Sequence, residues 1–102
     1  MKPLDQCRVL DLGIITAGAA TSAVLADLGA NVVKIESDTY RDPFRQWEGE
    51  VLEGESADLP PFFRMTNRGK ANLALDLKSP KGREVFLSLV RNCDVVVENF
   101  RR

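Results

Sequence analysis

Residues 7–36 carry a short apolar run, a helical pattern and a second apolar run, and this order constrains the fold more than any other feature of the chain. The runs at 7–12 (CRVLDL) and 31–36 (NVVKIE) are typical of buried strands. Between them, apolar residues recur at helical spacing over 19–28, and Gly29 supplies a C-terminal stop. Since about 30 residues suffice for strand, helix and strand, the pattern predicts a βαβ unit with parallel strands and a right-handed crossover.

A similar strand–helix–strand pattern occupies the C-terminal third. Residues 72–77 (NLALDL) are predicted to form a strand, and Ser79 and Pro80 supply the cap and first turn of a helix. Residues 94–99 include three consecutive valines, which are typical of a strand buried on both faces. The predicted fold class is α/β, a three-layer βαβ unit with a mainly parallel sheet. Because a doubly wound domain normally continues with a helix after such a strand, we expect residues 1–102 to be a single partial domain.

The composition favours a globular domain and argues against several functions. Of the 102 residues, 44% are hydrophobic and 28% are charged, and the formal net charge is −1, so neither nucleic acid nor a membrane is an expected partner. The chain has no histidine, so it cannot by itself build a Ser-His-Asp site or a His-ligated zinc, and we predict no metal site. Cys7 and Cys93 are predicted to be small, buried, unpaired hydrophobic residues. With no signal peptide pattern and no apolar stretch near the ~20 residues of a membrane span, the predicted location is the cytoplasm.

Residues 37–63 form a long acidic segment without sustained periodicity. They contain seven acidic and two basic side chains together with three prolines. A connection of this length is predicted to be a functional flap, a partner-binding segment or a mobile insert, and the sequence leaves these three open. Trp47, the only tryptophan, is interpreted as a residue that pins the loop to the body of the domain, with ligand contact as the alternative.

Three groups of residues are candidates for chemistry. The loop 13–18 joins the first strand to the first helix, and it is interpreted either as an anion site at a helix N-terminus or as a plain tight turn. A second group consists of basic residues that would suit a phosphate-rich cofactor: Arg64, Arg68, Lys70 and Lys78. A third group consists of polar residues at the carboxyl ends of predicted strands, where open α/β sheets bind ligands: Glu36, Asp76 and Asn99.

Several motifs occur in an order and at a spacing that together resemble a known family. They are VLDL at 9–12, AG at 17–18, LADLGANVVKIE at 25–36, DPFR at 42–45, NRGK at 67–70, LDLKSPKG at 75–82 and DVVVENF at 94–100. This series resembles the N-terminal segment of the family III CoA-transferases, which include formyl-CoA transferase, carnitine CoA-transferase and α-methylacyl-CoA racemase. The resemblance covers nearly the whole chain.

The resemblance implies a Rossmann-like large domain in which coenzyme A lies along the carboxyl edge of the sheet. Carried over by position, the residues implied to contact it are Thr16, Ala17, Leu75, Lys78, Asn99, Phe100 and Arg101. The ligand implied is coenzyme A or an acyl-CoA, held without a covalent bond, and the assembly implied is a homodimer or larger. The chain departs from the family pattern at Ala19, where proline is usual, at Ser37 and Asp38, where a basic residue or proline often follows, and after Phe100.

The implied function is CoA binding within an enzyme that transfers CoA between an acyl-CoA and a carboxylic acid. The family's catalytic aspartate lies downstream of the position matching Phe100, so we expect this chain to hold no catalytic residue and to be catalytically incomplete by itself. The alternative interpretation is a stand-alone, non-catalytic module for protein interaction or self-association that is derived from the same fold.

Overall fold

The computed structural model of the chain describes residues 1–46 and 60–101. Its elements, in chain order, are strand β1 (Arg8–Asp11), helix α1 (Ala17–Asp27), strand β2 (Asn31–Glu36), a 3-10 turn (Pro43–Arg45), helix α2 (Pro61–Thr66), strand β3 (Ala71–Ala74), helix α3 (Pro80–Val90) and strand β4 (Val95–Val97). None of the helices in these ranges is long and apolar enough to span a membrane.

The four strands form one parallel sheet in the order β3-β2-β1-β4, which confirms the predicted fold class. Val9 of β1 is in register with Val32 of β2 and with Val95 of β4, and Val33 pairs with Ala71 of β3. Strand β2 has the predicted bounds of 31–36, whereas β1, β3 and β4 are shorter than predicted and β3 begins one residue earlier. Because all pairings in this sheet are parallel, the carboxyl ends of the four strands lie at one edge.

Helices cover both faces of this sheet, as a three-layer unit requires. Val9, Ala30 and Val32 form a buried cluster on one face, where side chains of α1 pack. Leu10, Leu12 and Ile35 form the cluster on the other face, where the packed side chains include Phe86 and Leu89 of α3. Alternate residues of β1 therefore supply the two cores, as the period of a strand demands.

The end of α1 and the start of α3 both lie at residues that predict a helix boundary. Helix α1 is followed by Gly29, whose φ of +104° lies in the region that favours glycine. The hydroxyl of Ser79 accepts a hydrogen bond from the Gly82 N–H at 2.8 Å, and Pro80 stands in the first turn of α3. Ala19, Ser22 and Ala23 of α1 are buried, so this helix approaches the sheet through small side chains.

Two expectations for the fold need correction. Strand β4 was predicted to be buried on both faces, but Val95 is 37% exposed and Val96 44% exposed, because β4 lies at the edge of the sheet. The acidic segment was predicted to lack regular structure, yet its described parts include the 3-10 turn and the start of α2, which begins at the second residue of a Pro-Pro pair. The predictions for Trp47 and its neighbours lie outside the described residues.

Candidate ligand-binding cleft

The carboxyl ends of the four strands open into a cleft of about 800 Å³, within the size range of small-molecule sites. Each strand contributes the segment that follows it, so the walls come from four separated stretches of sequence. All seven residues implied by the family resemblance line this one cleft: Thr16, Ala17, Leu75, Lys78, Asn99, Phe100 and Arg101. Apolar side chains dominate the walls, and Lys78 and Arg101 are the cations among the lining residues.

The loop between β1 and α1 is held by side chains that take up its backbone amides. The Gly13 N–H donates to Asp11 Oδ1 at 2.8 Å, the Ile14 N–H to Asn99 Oδ1 at 2.9 Å and the Ile15 N–H to Asp42 Oδ1 at 3.2 Å. These three amides are therefore engaged within the protein, and the interpretation of the loop as an anion site does not hold for its first half. Ile15 has a φ of +58°, an uncommon conformation for a β-branched residue, and its amide is fixed by Asp42.

A buried ion pair beneath this loop fixes its position. Lys34 Nζ lies 2.8 Å from Asp42 Oδ2, and both side chains are almost completely excluded from solvent. The same ammonium donates to the Gly13 carbonyl at 2.8 Å, and it faces the Phe63 ring at 5.8 Å. Lys34 therefore connects strand β2 to the loop that follows β1.

A second buried ion pair joins β1 to the segment that precedes β3. Lys70 Nζ lies 2.8 Å from Asp11 Oδ2, and it donates to the Ala19 carbonyl and to Asn67 Oδ1, each at 2.8 Å. Burial lowers the pKa of Lys70, and the neighbouring Asp11 carboxylate partly opposes this shift. Lys70 thus reaches α1 and β1 together and does not face the cleft.

Glu36, at the end of β2, is held by donors from three directions. Arg45 binds its carboxylate through Nε and Nη2, Asn72 Nδ2 donates at 2.9 Å, and the Asp42 N–H donates at 2.9 Å. Burial opposes ionisation of Glu36, but the hydrogen bonds from Arg45, Asp42 and Asn72 outweigh it and lower the pKa to about 2. Glu36 is thus a fixed anion that orders the segment after β2.

Comparison with known proteins gives a consistent result. The model of CoA-transferase family III matches residues 4–102. The chain belongs to this family. A formyl-CoA:oxalate CoA-transferase from Rhodopseudomonas palustris is 40% identical over 97% of this chain and 22% of its own length. A succinyl-CoA:mesaconate CoA-transferase from Haloarcula hispanica is 46% identical over 99% of this chain and 25% of its own.

Solved structures also match this family III chain over nearly its whole length. A CAIB/BAIF family protein from Brucella suis superposes with a TM-score of 0.83 and 40% identity, over 97% of this chain and 26% of that one. The D175A mutant of Rv3272 from Mycobacterium tuberculosis gives a TM-score of 0.80 and 37% identity. The chain spans about a quarter of the length of the relatives it matches.

The other two groups of candidate residues in this family III chain have different outcomes: the basic residues do not meet in the cleft, whereas the polar residues at the strand ends do. Of the basic group, Arg68 pairs with Asp27 at 2.6 Å on the surface and Lys70 is buried, so only Lys78 of that group lines the cleft. Glu36, Asp76 and Asn99 all line the cleft, but each also has a structural partner. Asn99 holds both the N–H and the carbonyl of Ile14, and Asp76 Oδ1 accepts the Lys78 N–H at 2.9 Å.

Sequence reasoning did not single out Asp11, Lys34 or Asp42 as residues that shape the site. Charged residues are usually solvated, so a charge inside an apolar run gives little local signal. Two features of the sequence could have indicated their role. Asp42 belongs to the DPFR motif, and Lys34 lies in the middle of a predicted strand.

Proposed function

We propose that the cleft binds the CoA part of an acyl-CoA, and that this chain forms the CoA-binding part of an enzyme that transfers CoA between an acyl-CoA and a carboxylic acid. The observation that carries the proposal is the convergence of the seven residues named from the family resemblance on one cleft. They come from the segments after β1, β3 and β4, so their meeting depends on the fold and not on closeness in sequence.

The chemistry of the cleft is suited to such a ligand. Coenzyme A combines a planar base, several phosphate charges and a flexible arm in which amide groups alternate with apolar carbon groups. The cleft offers apolar walls together with the Lys78 and Arg101 side chains, each of which is able to form charge-assisted hydrogen bonds to phosphate worth about 1.5–3 kcal/mol. Thr16 and Ala17 stand at the start of α1, where the helix dipole favours a negative group. An acyl-CoA in the cytoplasm is the expected substrate, with no covalent cofactor.

A titration with coenzyme A tests this proposal. Because a quarter-length chain offers only part of a large site, we expect a dissociation constant on the order of millimolar, near −4 kcal/mol. Amide chemical shifts are expected to change at residues 13–18, 73–78 and 98–101, and Lys78→Ala is expected to weaken binding. Lys81→Ala removes an exposed lysine of α3 outside the cleft lining and is the matched control. Unchanged binding in Lys78→Ala, or shifts confined to residues that do not line the cleft, such as 41–46, would contradict the proposal.

We also propose that the 102 residues do not catalyse transfer by themselves. The carboxylates beneath the cleft are committed to structure, since Asp11 and Asp42 are buried in ion pairs and Glu36 is held by Arg45. A group in that state is a poor nucleophile towards a thioester. In an assay with an acyl-CoA and a free carboxylic acid, we expect the rate to equal that of a heat-inactivated sample. A clearly higher rate that disappears in Asp76→Asn would make Asp76 the nucleophile.

A second candidate function is self-association through exposed apolar side chains of α3 and β4. Val85 and Leu87 of α3 and Val95 and Val96 of β4 are 37–57% exposed, and large apolar side chains left in contact with water favour association. This exposure favours a covering partner, and a second copy of the chain fits the homo-oligomer expected from the resemblance.

A further inference from the structure

Two aromatic rings meet at the cleft. Tyr40, after β2, and Phe100, after β4, have ring centroids 5.5 Å apart at an interplanar angle of 73°, an edge-to-face contact. Both residues line the cleft, and in the sheet order β2 and β4 flank β1. The pair therefore joins two segments on either side of the loop that follows β1. Tyr40 remains 45% exposed and Phe100 42% exposed, so the pair presents aromatic surface that the domain itself does not cover.

Tyr40 is carried by a short turn with a well-defined backbone. The Ser37 N–H donates to the Tyr40 carbonyl at 3.1 Å, and the Tyr40 N–H donates to the Ser37 carbonyl at 3.3 Å and to its hydroxyl at 3.0 Å. The turn begins directly after Glu36, whose carboxylate is fixed by Arg45 and Asn72. The ring is thus presented from an anchored segment, which lowers the entropic cost of using it in binding.

We infer that Tyr40 is a further ligand-contacting residue and that the Tyr40–Phe100 pair is the platform for the planar base of the ligand. This inference rests on the proposed function, because adenine is the planar group of coenzyme A. Two exposed ring surfaces beside cations suit a flat base attached to phosphates, since a base stacks on aromatic faces whatever its hydrogen-bonding pattern. The flexible pantetheine arm has no flat face and gains less from such a platform. Tyr40 is not among the residues implied by the family motifs.

The test uses the two halves of the ligand as separate probes. Adenosine 3′,5′-bisphosphate carries the base and phosphates, and 4′-phosphopantetheine carries the arm. Tyr40 is the only tyrosine of the chain, so its ring protons give an unambiguous NMR signal. We expect the bisphosphate, at millimolar concentration, to move this signal upfield through the ring current of the stacked base. We expect phosphopantetheine to leave it nearly unchanged.

Variants separate stacking from general folding effects. Tyr40→Phe keeps the flat face and is expected to bind coenzyme A like the original chain. Tyr40→Leu keeps apolar bulk without the aromatic face, and it is expected to weaken binding of coenzyme A and of the bisphosphate about five- to tenfold while sparing phosphopantetheine. Far-UV circular dichroism confirms that each variant is folded.

The results of these experiments distinguish a failure of the Tyr40 inference from a failure of the proposal that the cleft binds coenzyme A. If the original chain binds coenzyme A but the Tyr40 signal stays still and Tyr40→Leu binds normally, the inference is wrong and the proposed function stands. If Tyr40→Leu weakens both half-ligands equally, Tyr40 shapes the cleft without stacking on the base, which also overturns the inference. If the original chain binds neither coenzyme A nor the bisphosphate, both the proposed CoA-binding function and the stacking role of Tyr40 are wrong.

Discussion

Removing the Asp42 carboxylate is expected to destabilise the domain severely, because this buried side chain accepts hydrogen bonds from three donors at once. Asp42 is 1% exposed, and it accepts from Lys34 Nζ at 2.8 Å, the Phe44 N–H at 3.0 Å and the Ile15 N–H at 3.2 Å. In Asp42→Ala the Lys34 ammonium loses its counter-ion and keeps the Gly13 carbonyl as an acceptor and the Phe63 ring at 5.8 Å. Breaking a buried pair in this way costs about 3–5 kcal/mol, a large part of the ~5–15 kcal/mol that stabilises an ordinary domain.

Urea unfolding followed by far-UV circular dichroism measures this loss. Asp38→Ala is the matched control, since Asp38 forms an ion pair with Arg41 at 3.6 Å while 96% of its side chain is exposed. Its expected effect is at most about 1 kcal/mol. The double variant Lys34→Met/Asp42→Ala removes both charges and is expected to recover part of the stability lost in Asp42→Ala. A loss below about 1 kcal/mol in Asp42→Ala, or a double variant less stable than the single one, would refute the assignment of the cost to the unpaired lysine.

Two further predictions concern pH and assembly. The pKa of Glu36 is lowered from 4.5 to about 2, so its contribution to stability is fully present above pH 4.5 and is lost as the pH falls towards 2. Arg45→Met is expected to move the acid-unfolding midpoint to higher pH, and an unchanged midpoint would show that the pair with Glu36 does not carry this dependence. Light scattering is expected to show a dimer or larger species that Leu87→Ser, on the exposed face of α3, shifts towards monomer. A monomer at high concentration in the original chain would contradict self-association.

Local periodicity was sufficient to predict the layers of this fold. Apolar spacing and one glycine predict strands at 7–12 and 31–36 and a helix at 19–28. The structure has the second strand at the predicted bounds, the first strand one residue shorter at each end, and the helix at Ala17–Asp27. Local apolar spacing does not show which strands lie in the centre of the sheet and which lie at its edges. The run of valines therefore predicts a central strand, whereas the strand order places Val95 and Val96 at an edge.

The cleft was predictable from a topological rule and a family resemblance, but its supporting structure was not. Parallel strands bring the segments after them to one edge, so residues such as Thr16 and Asn99 were expected to meet there. A buried ion pair depends on two residues distant in sequence, and neither has a local pattern that reveals the other. Lys70 and Asp11 form a pair because the fold brings the end of β1 next to the segment before β3, and the sequence around either residue does not indicate this contact.

The two buried ion pairs have a consequence for the order in which the chain folds. Lys34 and Asp42 are 8 positions apart, whereas the Lys70 ammonium binds the Ala19 carbonyl, 51 positions away, together with Asp11 of β1. A contact between residues close in sequence closes a short loop at a low entropic cost, and a contact between distant residues has a larger entropic cost. The Lys34–Asp42 pair is therefore expected to form early in folding, and the contacts of Lys70 are expected to form late and to complete the support of the cleft.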